Sequence, residues 1–215
     1  MKRLLMILLL LPTTLVHAAD EKAESKQVDM GDPTAIYSSF GTEYDSDGTL
    51  DVSLGVASGR HLLLVETKEG FDALKATYAN MSQGSGFYAE STFNKDIRSL
   101  SAGYITTFKM GETVTFYPVG MLGYTNYDNL DYVTPTATLG VYTRINIAPG
   151  WQLGLDPFVT AYGKEDQGGV FSTLSTDMFV GYQYQQHRFR VGYASSIVSS
   201  NKDDHSIFFN YKVAF

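Results

Sequence analysis

The chain has 215 residues, 16 basic against 23 acidic side chains, no cysteine, and 44% hydrophobic residues at a mean hydropathy of −0.11. The lack of cysteine excludes a disulfide scaffold, a thiolate metal site and a Cys nucleophile together, and the acidic balance argues against nucleic-acid binding. Fifteen Tyr, thirteen Phe and twenty Gly against one Trp and six Pro suit strands that carry aromatic girdles and crowd around a narrow interior.

Residues 1–18 read as a cleaved signal peptide. Met1-Lys2-Arg3 is a basic start, Leu4 to Leu11 is an unbroken apolar run, and Val16-His17-Ala18 is a small-residue cleavage signal. The run falls short of the roughly 20 apolar residues that a membrane helix needs. The mature chain then begins near Ala19, and losing Lys2 and Arg3 leaves 14 basic and 23 acidic residues, a net charge of −9. No Cys follows the cleavage point, which excludes lipid attachment. Residues 19–33, rich in Asp, Glu and Lys, are expected to be a flexible periplasmic tail.

From residue 34 onward the organising signal is period-two alternation, the pattern of a strand with one apolar and one polar face. Residues 34–44 form the first such segment. In 49–57, Leu50, Val52, Leu54 and Val56 oppose Asp51, Ser53 and Gly55. Residues 61–67 follow, and because Leu50 and Leu62 share a parity, 49–67 could be one bent strand or two. The segments 71–80, 86–93, 98–108 and 113–125 alternate less cleanly. In 135–147, Ala137, Leu139, Val141, Ile145 and Ile147 face away from Thr136, Thr138, Tyr142, Arg144 and Asn146.

Residues 151–164 set Trp151, Leu153, Leu155, Pro157, Val159 and Ala161 against Gln152, Asp156, Thr160, Tyr162 and Lys164, with the proline tolerable near an edge or bulge. Residues 169–185 place Val170, Leu174, Met178, Val180, Tyr182 and Tyr184 outward and Phe171, Thr173, Asp177, Phe179, Gly181 and Gln183 inward. Phe189, Val191, Tyr193 and Ile197 then oppose Arg188, Arg190, Gly192, Ala194 and Ser196. The closing stretch SIFFNYKVAF puts Ile207, Phe209, Tyr211, Val213 and Phe215 on one face and Ser206, Phe208, Asn210, Lys212 and Ala214 on the other.

The pattern predicts an all-β, antiparallel up-and-down transmembrane β-barrel over residues 34–215 with twelve strands, eight or ten being the alternatives. Loop lengths agree. Short connections at Met110-Gly111-Glu112, Ala148-Pro149-Gly150 and Gln186-His187 alternate with longer polar ones at 126–134, 164–168 and 199–204, as periplasmic turns alternate with external loops. Both termini then lie in the periplasm.

The residues resemble the small outer-membrane β-barrel superfamily, the OmpA-like transmembrane barrels and their relatives. The closing strand, with Ile207, Phe209, Tyr211, Val213 and Phe215, looks like the signal read by the outer-membrane assembly machinery, and FYPVGMLGY and LDPFVTAYG look like strands common in that superfamily. The resemblance implies a Gram-negative outer membrane, with lipid and lipopolysaccharide as first partners and a monomeric state.

Inward-facing charges of both signs, Asp51, Glu90, Asp156 and Asp177 with Lys75, Arg144, Arg190 and Lys212, are expected to form an ion-pair network in a polar lumen. Lys75 and Glu90 become cross-strand neighbours if the turn at 80–85 is tight. The structural reading is that these charges satisfy one another in a filled interior; the functional reading is that they line a solute path.

Asp45-Ser46-Asp47 in the first external loop, set beside Asp203-Asp204-His205-Ser206, resembles the omptin protease constellation, in which a carboxylate and a His activate water. The chain is much shorter than an omptin, and adjacent His and Ser point to opposite faces of a strand. Asp45, Asp47, Asp203 and His205 are therefore weak catalytic candidates, and no enzyme activity, metal or cofactor is expected. Asp45, Asp47, Asp128, Asp131, Asp203 and Asp204 could bind divalent cations that bridge lipopolysaccharide, although solvated loop acids are the plainer account. His61 and His187 are read as solvated turn ends, and Tyr124, Trp151, Tyr182, Tyr184 and Tyr211 as interfacial girdle. The preferred function is a non-enzymatic envelope or surface-interaction barrel, the alternative a narrow pore for small solutes.

Overall fold

Alternating side chains along an extended backbone produce a wall with two chemically distinct faces, and such a wall can hide its backbone from lipid only by closing on itself. The computed structural model describes residues 27–127, 133–163, 170–198 and 202–215. Its strands are β1 (Ser39–Asp45), β2 (Leu50–Ser58), β3 (His61–Lys68), β4 (Ala73–Ser82), β5 (Ser85–Asn94), β6 (Ile97–Ile105), β7 (Phe108–Met110), β8 (Val114–Tyr127), β9 (Val133–Ala148), β10 (Trp151–Gly163), β11 (Val170–Tyr184), β12 (His187–Val198) and β13 (Lys202–Ala214). Neighbours pair antiparallel in chain order, β1 pairs with β13, and β6 and β7 both pair with β8, which closes the sheet.

β6 and β7 occupy one place in the wall, so the barrel has twelve strands. Their register against β8 runs unbroken from Ile105↔Val119 to Phe108↔Phe116. The interruption falls opposite Pro118. The Thr106 N–H donates to the Pro118 carbonyl (3.2 Å), but proline has no N–H to return the bond. Pro157 has a related effect. The register of β10 against β9 lapses between Leu155↔Thr143 and Phe158↔Gly140, and there the Thr143 N–H donates to the Asp156 side chain (3.3 Å). The proline thus sits within the wall rather than at an edge.

The ambiguity over 49–67 resolves into two strands. Leu50 points outward, whereas Leu62 packs into the interior, and the reversal is made at Gly59, whose φ of 58° suits a two-residue turn. The turn after β4 is equally tight, Ser82 pairing with Ser85 around Gln83 and Gly84, both with positive φ.

The first strand begins at Ser39 rather than residue 34. Residues 27–38 are not a free tail: they cross the interior at the end of the barrel that carries the short turns, and Met30 (2% exposed) and Thr34 (5%) are buried there. This corrects the expected flexible segment over its last seven residues, because Arg and Gln side chains of the wall hold its backbone. Residues 1–26, including the expected signal peptide, lie outside the described residues.

The wall's polarity is inside out. Leu122 is 73% and Leu139 70% exposed on the outer face, while Thr136 at 7% and Arg144 at 5% are buried within. A water-soluble barrel would reverse this, so the outer face is a surface for lipid. Near the short turns the girdle is organised in a way the spacing alone did not reveal. His61 Nδ1 lies 2.8 Å from the Tyr78 hydroxyl, and His187 Nδ1 lies 2.8 Å from that of Tyr211.

Candidate functional site: the lumen

The interior is layered along the barrel axis. Toward the end with the longer loops lies a cavity of about 350 Å³, lined by hydroxyls from Ser99, Ser101, Thr125, Thr136, Thr160 and Ser175, among other residues. Each comes from the inward parity of its strand. Thr138 and Thr160 share a hydrogen bond (2.9 Å), and Tyr162 stacks on Phe171 at 4.6 Å. Lys75 and Glu90 are ion-paired on this wall (2.7 Å), and the Tyr88 hydroxyl donates to Glu90 Oε1 (2.7 Å).

The floor of the cavity is aromatic and aliphatic. Tyr142 meets Phe158 edge to face at 4.9 Å, and both rest on a cluster of Ala79, Met81, Ile105, Tyr117, Val119 and Met121. This cluster adds an apolar layer to the expected polar, charge-paired lumen. On β8 the outward neighbours Phe116, Pro118, Gly120 and Leu122 also lack polar side chains, and on β4 the polarity reverses, Asn80 and Ser82 lying outward beside the inward Met81, so the sequence pattern blurs there. The cluster seats Ile36 from the segment that crosses the barrel.

That segment, residues 27–38, is a strap tied to the wall chiefly through its own backbone. The Arg188 Nη1 donates to the Met30 carbonyl (2.7 Å), and the Arg144 Nε donates to the Gly31 carbonyl (2.9 Å). Gln183 accepts from the Met30 N–H (2.9 Å) and donates to the Val28 carbonyl (2.7 Å). At the strap's root the Phe215 N–H donates to the Ser38 carbonyl (3.0 Å). Burial holds the Tyr37 phenol above its ordinary pKa against the pull of Arg188 and Arg190, so the group stays a neutral donor toward the Met30 carbonyl (3.4 Å).

Beneath the floor three guanidinium groups surround one ring. Arg144, Arg188 and Arg190 each place Cζ 5.0 to 5.6 Å from the centroid of Phe179, a cation–π arrangement. The ring fits because residue 154 is glycine: a Cβ there would overlap it.

Arg144 makes a two-pronged pair with Asp156, Nη1 to Oδ1 and Nη2 to Oδ2, the latter at 3.1 Å. Arg190 bonds Asn210 (3.2 Å) and lies 3.7 Å from Glu43, which also faces Lys68 at 3.8 Å. Glu43 escaped sequence reasoning because β1 is short and its alternation is weak. Asp51 is held by the Thr67 hydroxyl (3.2 Å) and the Gly70 N–H (3.1 Å) rather than by a cation.

Asp177 faces the hydroxyl-lined cavity directly across from Asp156. Neither it nor Lys212 makes an ion pair among the described residues. The eight inward charges therefore do not form one closed network: two pairs, one shared cluster and several single charges divide the lumen.

The hydrolase constellation is not assembled. Ser46 does join the start of the last strand, accepting from the Ile207 N–H (3.1 Å). Asp45, however, spends its carboxylate on the Asp47 N–H and on the N–H and hydroxyl of Thr49. His205 is on the outer parity of β13, beside the Tyr193 ring at 6.2 Å. A carboxylate locked in its own turn and an imidazole on the far face of the wall cannot share a water. The side chain of Asp203 and the loop residues Asp128 and Asp131 lie outside the described residues, and no cluster of three or more metal-ligating side chains occurs among the described ones.

No protein-family model and no curated protein matches the chain. Solved structures do. The chain is similar to the NanC porin, with a TM-score of 0.56 and 8% identity over 83% of this chain and 98% of that one. It is also similar to an outer membrane channel from Pseudomonas putida F1, with a TM-score of 0.55 and 13% identity over 84% and 96%. It spans less than two thirds of Vibrio cholerae OmpT, covering 66% of the in-vitro folded form at a TM-score of 0.46 and 9% identity, and 64% of the outer-membrane expressed form. The fold is that of the outer-membrane β-barrels.

Proposed function

We propose that the protein is a narrow outer-membrane channel for small hydrophilic solutes, constricted at its periplasmic mouth by residues 27–38. The observation that carries this reading is the unfilled, hydroxyl-lined half of the lumen, about 350 Å³. Wall side chains fill an eight-stranded barrel, whereas twelve strands leave room that side chains alone do not occupy. Here the base is closed by a strap of the protein's own chain.

The short turns and both ends of the described chain share one rim, which in this reading faces the periplasm. Lipid and lipopolysaccharide are its surroundings, the terminal strand ending in Phe215 its handle for the assembly machinery, and one chain the working unit.

Planar-bilayer recordings test the channel. The full chain should give small, infrequent current steps. A variant lacking residues 27–36, checked for folding by its heat-dependent mobility on a gel, should give larger and steadier ones. Silence from both would overturn the channel and favour a closed barrel that acts in envelope integrity or through its surface loops.

A further inference from the structure

At the base of the lumen two buried cations of the wall, Arg188 and Lys212, have no ion-pair partner among the described residues, although Glu66 lies within electrostatic reach of Lys212. Asp156 is taken by Arg144, and Glu43 is shared by Arg190 and Lys68. Arg188, which is 8% exposed, makes no ion pair among the described residues, and Lys212 lies directly opposite it in the register of β12 and β13. A buried guanidinium demands oxygen acceptors, since leaving it bare costs much of its lost hydration. The strap supplies them: the Met30 carbonyl sits on Arg188 and the Gly31 carbonyl on Arg144. It also brings Asp29 within electrostatic reach of Arg188.

The Met30 carbonyl is an uncharged substitute at a position where the Arg188 fork binds an oxyanion more strongly, while Arg144, its fork spent on Asp156, offers only Nε. A cavity of about 760 Å³ flanks the strap and is lined by Arg188, Gln152 and Gln183, so a small molecule can reach Arg188, whereas Arg144, held by the Gly31 carbonyl, does not line it. Gln152 is itself hydrogen-bonded to Arg188 (3.4 Å), and Gln183 is the residue that grips Val28 and Met30.

We infer that Arg188, assisted by the Nε of Arg144, forms a binding site for the carboxylate or phosphate of an anionic solute, and that the strap occupies this site until such an anion displaces it. This rests on the channel reading, because displacement of the strap is what widens the path. An anion thus acts as both cargo and key, whereas a neutral solute meets a closed base.

The absence of native cysteine allows a single reporter. Val28→Cys, on an exposed strap side chain, carries a nitroxide in the folded protein, and its mobility is read while sodium gluconate, sodium phosphate or sodium chloride is added at matched ionic strength. Gluconate or phosphate should loosen the label where chloride does not, and the stronger of the two identifies the preferred oxyanion. Arg188→Gln should loosen the label without any anion and abolish the response. Arg188→Lys, which keeps the charge but loses the fork, should need about tenfold more anion. An equal response to chloride, or a full response in Arg188→Gln, would overturn the site. Failure of the channel itself would appear separately, as silent bilayers with the label response intact.

Discussion

Arg144 shows how the charged groups inside the barrel hold one another. Its guanidinium and the Asp156 carboxylate are both more than nine-tenths buried, so each replaces for the other much of the hydration that burial removes. Arg144→Met should therefore cost about 3–5 kcal/mol by leaving a buried carboxylate alone. Adding Asp156→Leu should restore most of that loss, read as the urea midpoint for unfolding from lipid vesicles. A double variant as unstable as the single one would show that strap contacts, not the pair, dominate at Arg144. The alternation of β9 and β10 made both partners legible as inward residues. It could not show that Arg144 also holds Gly31, because a strap forms no periodic pattern.

At the scale of the element, prolines decide where the ladder is weak. Pro118 leaves the Thr106 carbonyl without its returning donor, and an unpaired carbonyl in a membrane wall is costly because no water reaches it. Pro118→Val should restore that bond and a β-branched side chain on the lipid face, raising stability by about 0.5–1.5 kcal/mol. Amide exchange at residue 118 should then be as slow as at its strand neighbours. Fast exchange there would mean that the chain is held apart by something other than the ring.

The strands beyond residue 133 were readable because their outer faces are largely apolar and their inner faces carry most of the charged and amide side chains. Those of β4, β6 and β8 were less so, since the inward cluster of Met81, Ile105 and Val119 is apolar: on β8 both faces then lack polar side chains, and on β4 the polar Asn80 and Ser82 fall on the outer face. Residues 27–38 were misread for a related reason. A polar segment that binds through its backbone carbonyls leaves no trace in its side-chain pattern.

For the molecule as a whole, the single Trp is a natural depth gauge. Trp151 opens β10 at the short-turn rim, on the outer face, packed at 4.8 Å against Tyr182. In vesicles its fluorescence should be quenched strongly by lipids brominated near the headgroup, weakly by those brominated at the chain ends, and little by aqueous iodide. Strong iodide quenching would remove Trp151 from the lipid face and with it the membrane register of the wall. The address and architecture were legible from the closing strand, while the path through the interior was not, because it depends on which parts of twelve strands meet across the axis.

The strap's root is clasped to the last residue of the chain, Phe215 to Ser38, beside the seam where β1 meets β13. Its seat draws on β4, β6 and β8 through the cluster under Ile36 and on β9, β11 and β12 through Arg144, Gln183 and Arg188, so the seat is whole only when the cylinder is complete. The first described part of the chain to be synthesised is thus the last that can settle. Its docking marks the moment when insertion is finished, and a half-built barrel has no means of closing its own base.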